Sequence, residues 1–161
     1  MTILAIDPGP EESAFVLFDG EGVLRAQCWP NADVLREIEI LNERDHDLPL
    51  AIEWITHMGM PAGRELFETC YWVGRFAQAH SRMPVTRISR VEVKLNLCGS
   101  ARAKDPNIRQ ALLDRFGGKE AAIGRKASPG PLYGVSGHAW SALAVAVTWF
   151  DTAGKLKGPD A

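Results

Sequence analysis

No run in this sequence approaches the roughly 18–20 consecutive apolar residues that a membrane span requires. Its opening, Met1-Thr2-Ile3-Leu4-Ala5-Ile6-Asp7, lacks the basic segment and long apolar stretch of a secretory signal, so a cytoplasmic protein is expected. Cysteine is scarce. Cys28, Cys70 and Cys98 are odd in number and far apart, which supports neither a disulfide framework nor a Cys-x-x-Cys zinc site and leaves buried, reduced thiols as the expectation. Glycine and proline, 15 and 10 of 161 residues, are too few for a collagen-like or disordered chain. With 46% apolar and 24% charged residues the chain should bury an ordinary core, and its length suits one domain, expected over residues 1–153 with a flexible tail at 154–161.

Charge is distributed unevenly. Residues 1–81 hold 5 Lys/Arg against 14 Asp/Glu, whereas residues 82–126 hold 11 against 4. A basic stretch of this density beside an acidic half suits a polyanion-binding surface, because each phosphate neutralised by Lys or Arg releases condensed counterions. The competing reading is a set of solvated helix faces.

Apolar runs predict strands at 2–7, 13–18 and 23–28, the last two joined by the turn Asp19-Gly20-Glu21-Gly22, followed by a helix from an Asn31 cap to about Arg44. A buried strand at 48–55 comes next, then a long helix from Pro61 to about His80 whose stripe includes Leu66, Phe67, Cys70 and Val73. A strand at 84–89, a short helical piece near 90–96 and a helix from Asp105-Pro106 to Phe116 follow. Residues 117–136 read as a loop. The segment from Ser136 to Phe150 is apolar nearly all round, as a helix packed against a sheet must be. The order predicts an α/β fold: a mixed five-stranded sheet, part antiparallel meander and part parallel, with helices on both faces.

Two carboxylates stand out within apolar strands. Asp7 ends the first strand, at the sheet edge where ligands usually sit. Glu53 interrupts Leu50-Ala-Ile-Glu-Trp-Ile55, where an isolated charge is costly unless paired or bound to a metal. On neighbouring strands they would converge, and hard oxygen donors of this kind suit Mg²⁺ or Mn²⁺. The alternative is that Asp7 caps a turn and Glu53 pairs with an arginine. His138 opens the apolar last helix, with Ser141 one turn on, and neutral imidazole serves for ligation or acid–base work. His57 is a lesser candidate, and His46 and His80 read as surface residues. Lys94, Arg102 and Lys104 surround Leu97-Cys98-Gly99-Ser100, and with Arg109, Arg125 and Lys126 form the cationic set that could hold phosphates. Met58, Met60, Phe67, Tyr71 and Trp72 could wedge between bases or join two copies, although core packing explains most of them, Phe67 above all.

Taken together, Ile6-Asp7-Pro8-Gly9, Ile52-Glu53, Lys94 with Gly99-Ser100-Ala101-Arg102-Ala103-Lys104, and the helix from His138 to Ala146 resemble the RuvC-like Holliday junction resolvases of the ribonuclease H-like superfamily. Gly59 to Arg64 and Glu68 to Phe76 are similar to the phage and prophage branch. The resemblance implies a ribonuclease H-like fold and a homodimeric endonuclease that cuts branched DNA with two divalent cations. It implies that Asp7, Glu53 and His138 are ligands and that Lys94 and Lys104 contact DNA. The family's fourth ligand is acidic, and Ser141 stands in its place, which weakens the second ion. The alternative of another class is a DNA-binding protein that kept the fold and lost cleavage. An actin-like ATPase is disfavoured, since 161 residues leave no room for a second lobe and no Gly-rich phosphate loop follows the second strand. No nucleotide cofactor is expected.

Overall fold

The computed structural model describes residues 1–56, 59–80 and 82–156. The first strand, β1 (Ile3–Asp7), is buried on both sides: Ile3 and Ala5 enter one core, Leu4 and Ile6 the other. β2 (Glu12–Phe18) and β3 (Val23–Pro30) continue as an antiparallel meander, turned where the Asp19 carboxylate accepts from the backbone N–H groups of Glu21 and Gly22. After α1 (Asn31–Arg44), β4 (Leu50–Trp54) pairs with β1 in parallel. After α2 (Arg64–Ala79), β5 (Val85–Ser89) pairs with β4 in parallel. The sheet order is β3-β2-β1-β4-β5, so β1 and its Asp7 occupy the centre. This is the ribonuclease H-like α/β arrangement that the sequence predicts.

The second half of the chain covers one face. α3 (Arg90–Cys98), α4 (Asp105–Arg115), α5 (Lys119–Ile123) and the short hairpin β6 (Gly124–Arg125) and β7 (Ser128–Pro129) lead to α6 (Ala139–Leu156). α6 lies directly on the sheet, and every residue from 142 to 149 is buried. Fully burying one aliphatic side chain contributes about 1.5–3 kcal/mol, so α6 anchors this face. Asp151 locks its outer neighbours: Arg115 on α4 donates to both carboxylate oxygens at 2.6 and 2.7 Å, and Asn96 on α3 donates at 2.7 Å. The opposite face is closed by α1 and α2 over Leu4, Ile6, Phe15, Leu50 and Ile52.

Several local expectations are corrected. α2 starts at Arg64 rather than Pro61, and Phe67 on it is 65% exposed instead of buried, because the helix packs mainly on α1 through Val73 and Phe76. The predicted loop at 117–136 contains α5 and the hairpin, and α6 continues to Leu156, past the expected start of the tail. Cys28 and Cys70 are exposed rather than buried, on the outermost strand and the outer side of α2, and Cys98 is half-buried. His80 is buried, not a surface residue, because the end of α2 turns back onto α1, where its Nδ1 lies 2.7 Å from Asn42 Oδ1. Asn31 is the first residue of α1 rather than its cap. Its side chain is buried and spent on the loop after Asp7. His57 and Met58 lie outside the described residues. Among the described residues no helix is long and apolar enough to cross a membrane.

Candidate active site

Strand alternation aims the two carboxylates. Ala5 and Ala51 pair across β1 and β4 and both face the α6 side, so Asp7 and Glu53, two residues further on, face that side too. Ile6 pairs with Ile52, which leaves Asp7 and Glu53 as the next residues on parallel neighbours about 4.8 Å apart. They meet at the carboxyl edge of the sheet.

The chain on either side of this pair is rigidly held. Asp7 is followed by a tight turn in which a Cβ on Gly9 would collide with the Glu12 carbonyl, so only glycine fits. The Gly9 N–H donates to Ser13 Oγ at 3.1 Å, Ser13 Oγ donates to Asn31 Oδ1 at 2.6 Å, and Asn31 Nδ2 donates to the Gly9 carbonyl at 2.9 Å. Ser13 and Asn31 thus close a buried ring under the turn, a role that no short motif in the sequence announces. On the facing side, Gly137 adopts a left-handed φ of 52° and sets the entry to α6. The His138 carbonyl accepts the first helical N–H groups, from Ser141 and Ala142 at 3.0 and 3.3 Å. His138 therefore sits at the positive end of α6, with Nδ1 3.5 Å from Asp7 Oδ2.

Burial dominates the electrostatics. Desolvation raises the Asp7 carboxyl to about 6; His138 and Arg90 oppose this too weakly to cancel it, and Asp105 adds to it. Desolvation and then the Asp7 charge raise Glu53 to about 7, against the opposing pull of Arg90 and Lys94. At about 1.4 kcal/mol per pKa unit, keeping both ionised without a further cation costs several kcal/mol. A divalent cation would reverse that cost.

Arg90 and Asp105 belong to this centre and were not among the sequence candidates. Arg90 Nη1 lies 3.5 Å from Glu53 Oε2, and its Nη2 donates to Asp105 Oδ1. Both expected alternatives for Glu53 are therefore present in one place, convergence on Asp7 and pairing with an arginine. A capping box was the available signal: the Ser89 hydroxyl accepts from the Glu92 N–H while Glu92 Oε2 accepts from the Ser89 N–H, which places Arg90 at the very start of α3.

Two cavities flank His138. One, of about 820 Å³, is lined by Asp7, Glu11, Glu12, Glu65 and Glu68 with Arg64 among them. The other, of about 420 Å³, is lined by Arg90, Asp105, Arg109, Trp140 and Ser141. Ser141 thus faces the Arg90 side, and Arg109 lies over the Trp140 ring at 4.8 Å. Lys94 is half-buried and close enough for its charge to act on Glu53. Arg102 and Lys104 are exposed before α4, and Arg125 and Lys126 are exposed at the β6–β7 hairpin.

The donors suit a hard divalent ion: two desolvated carboxylates, one with the buried and hydrogen-bond-free oxygen Glu53 Oε2, beside an imidazole. Among the described residues no group of three or more His, Cys, Asp or Glu side chains is disposed to hold a metal ion. Asp7 and Glu53 alone would suffice only for an ion of the Mg²⁺ kind, which takes one or two carboxylates and completes its shell from water and phosphate.

No family model matches this sequence, and no protein of curated function does. The fold is shared with solved structures. RuvC from Thermus thermophilus superposes with a TM-score of 0.74 at 17% identity over 96% of both chains. T. thermophilus RuvC in complex with a Holliday junction substrate gives 0.72 at 16% identity, again over 96% of both chains.

Proposed function

We propose that this chain is a divalent-metal-dependent endonuclease of branched DNA, a RuvC-like Holliday junction resolvase of the phage and prophage type. The observation that carries the proposal is the Asp7–Glu53 pair, two desolvated carboxylates side by side at the carboxyl edge of the central strands, in a fold shared with RuvC. Asp7 and Glu53 would hold Mg²⁺ or Mn²⁺, with His138 beside Asp7. Such an ion supplies Lewis-acid stabilisation of charge on the phosphate and lowers the pKa of an attacking water. His138, 80% exposed between the two cavities, is positioned to orient that water or take its proton.

Charge supports one direction of DNA approach. The larger cavity carries glutamates that repel phosphate, whereas Arg109, Lys94, Lys104 and Arg102 lie on the α3–α4 side. We assign the scissile backbone to that side, with recognition by shape and phosphate contacts. A four-way junction requires two symmetric cuts, which a two-fold dimer supplies. Met60, Phe67 and Tyr71, exposed by 72, 65 and 58% at and before α2, support that region as the contact between copies.

Ser141 favours a second reading, a junction-binding protein with little or no cleavage, because a hydroxyl cannot supply the charge of the acid expected there. The test is cleavage of a labelled four-way junction beside duplex and single-stranded controls, in Mg²⁺ and Mn²⁺, with Asp7→Asn. Paired symmetric nicks on the junction, lost in Asp7→Asn, are expected. Junction binding without nicks under either metal would establish the second reading.

A further inference from the structure

A cation at the first position of a helix opposes the helix dipole, yet Arg90 occupies that position in α3, held by the Ser89–Glu92 capping box. The compensation is its carboxylate partners. Arg90 spans from Glu53 on β4 to Asp105 on α4, with its side chain only 23% exposed. Register explains the reach: Ser89 pairs with Trp54, so Arg90 leaves β5 immediately beside the strand end that carries Glu53. The contact with Glu53 is an ion pair without a hydrogen bond, since Glu53 Oε2 and Arg90 Nη1 are buried and neither has a hydrogen-bond partner. Glu53 therefore retains a lone pair for another cation.

We propose that the Arg90 guanidinium is a resident cation of the acidic centre, standing on the Ser141 side where a second divalent ion would otherwise be needed, so that this chain binds one divalent ion per site. The inference rests on the hydrolytic reading above and specifies its metal requirement. Charge balance supports it. Around Glu53 the charges of Asp7 and Asp105 are opposed by those of Arg90 and Lys94, so the protein itself already supplies part of the positive charge that the two central carboxylates require. Arg90 is the cation in direct ion-pair contact with Glu53, and it takes the flank of the carboxylate pair away from the glutamate-lined cavity. Arg90, Asp105, His138 and Ser141 line the same cavity, so the guanidinium and the missing acidic ligand belong to one place. Arginine suits the task because it stays charged at any working pH and presents several donors to carboxylate and phosphate alike.

The test is a Mn²⁺ titration of the full chain, with free ion counted by electron paramagnetic resonance, and circular dichroism to verify folding. Wild type and Arg90→Lys are expected to bind one ion, Arg90→Gln to bind it at least tenfold more tightly, and Arg90→Gln/Ser141→Asp to bind two. Two ions in wild type would overturn the assignment. So would a single ion in the double variant with no tightening in Arg90→Gln, while Asp7→Asn still abolishes binding; the hydrolytic reading would then stand. Binding that survives both Asp7→Asn and Glu53→Gln would instead overturn the metal site, and this inference with it. Should the Arg90 variants fail to fold, Ser141→Asp alone decides: one ion supports the assignment and two refute it.

Discussion

α6 and α2 are helices of 18 and 16 residues on opposite faces of the same sheet, and they are packed very differently. α6 lies between the sheet and α3 and α4, and buries each residue from 142 to 149. α2 leans chiefly on α1, buries Thr69, Val73 and Phe76, and leaves Phe67 and Tyr71 in solvent. The face that carries Asp7 and Glu53 is fixed by dense packing and by the Asp151 hub, the rigidity that a catalytic role for this pair would call for. The other face leaves apolar side chains uncovered, which is what the proposed contact between copies would use.

The largest expected effect tests this asymmetry directly. Leu143→Ala, at a position with no solvent exposure, should cost about 2–5 kcal/mol in urea unfolding, whereas Phe67→Ala should cost less than about 0.5 kcal/mol in a monomeric background. Equal losses would show the two helices to be anchored alike.

The second effect concerns stored electrostatic cost. Folding raises Asp7 from 3.8 to about 6 and Glu53 from 4.5 to about 7, so the folded chain holds protons that the unfolded chain has released. Their contribution to stability is full below about pH 4 and is lost as pH rises through 6 and then 7. In metal-free buffer Asp7→Asn should therefore be more stable than wild type at pH 8 by about 1–3 kcal/mol, with the gap closing toward pH 4. Thermal unfolding across that range checks the sign. A wild type that outlasts the variant at pH 8 would show the pair to be stabilised by something other than an added cation.

A third, smaller effect separates the two cavities. Lys94→Ala or Arg109→Ala should each lower the slope of log affinity against log salt for junction DNA by about one unit, as expected for one lost phosphate contact. Arg64→Ala, in the acidic cavity, should leave the slope unchanged. Equal changes at all three would place DNA on both sides of His138. The smallest effect on the fold itself should come from Phe67→Ser. Its unfolding midpoint should barely move, while sedimentation should show the proposed dimer falling apart. A dimer that survives would move the contact off α2.

Much of the fold was legible because hydrophobic periodicity is a local property. The strand runs, the all-apolar α6 and the isolated carboxylates Asp7 and Glu53 needed only neighbours in sequence to be noticed. The misreadings share one cause. Phe67 and Cys28 lie on elements correctly expected as helix or strand, and His80 directly follows α2, but their burial depends on what lies opposite, which periodicity does not encode. Asn31 has the residue type of a cap, yet a better use was available 22 residues away, at the Gly9 carbonyl.

The strand and helix periods, the positions where a charge interrupts an apolar run, and the basic stretch from 82 to 126 can all be read along the chain. That Arg90 and Asp105 join Asp7 and Glu53, and that the two cavities beside His138 differ in sign, follows from how the elements pack together. The physical reason is range: backbone preference and amphipathicity act over a few residues, whereas desolvation and Coulomb forces act between whatever groups packing brings within a few ångströms.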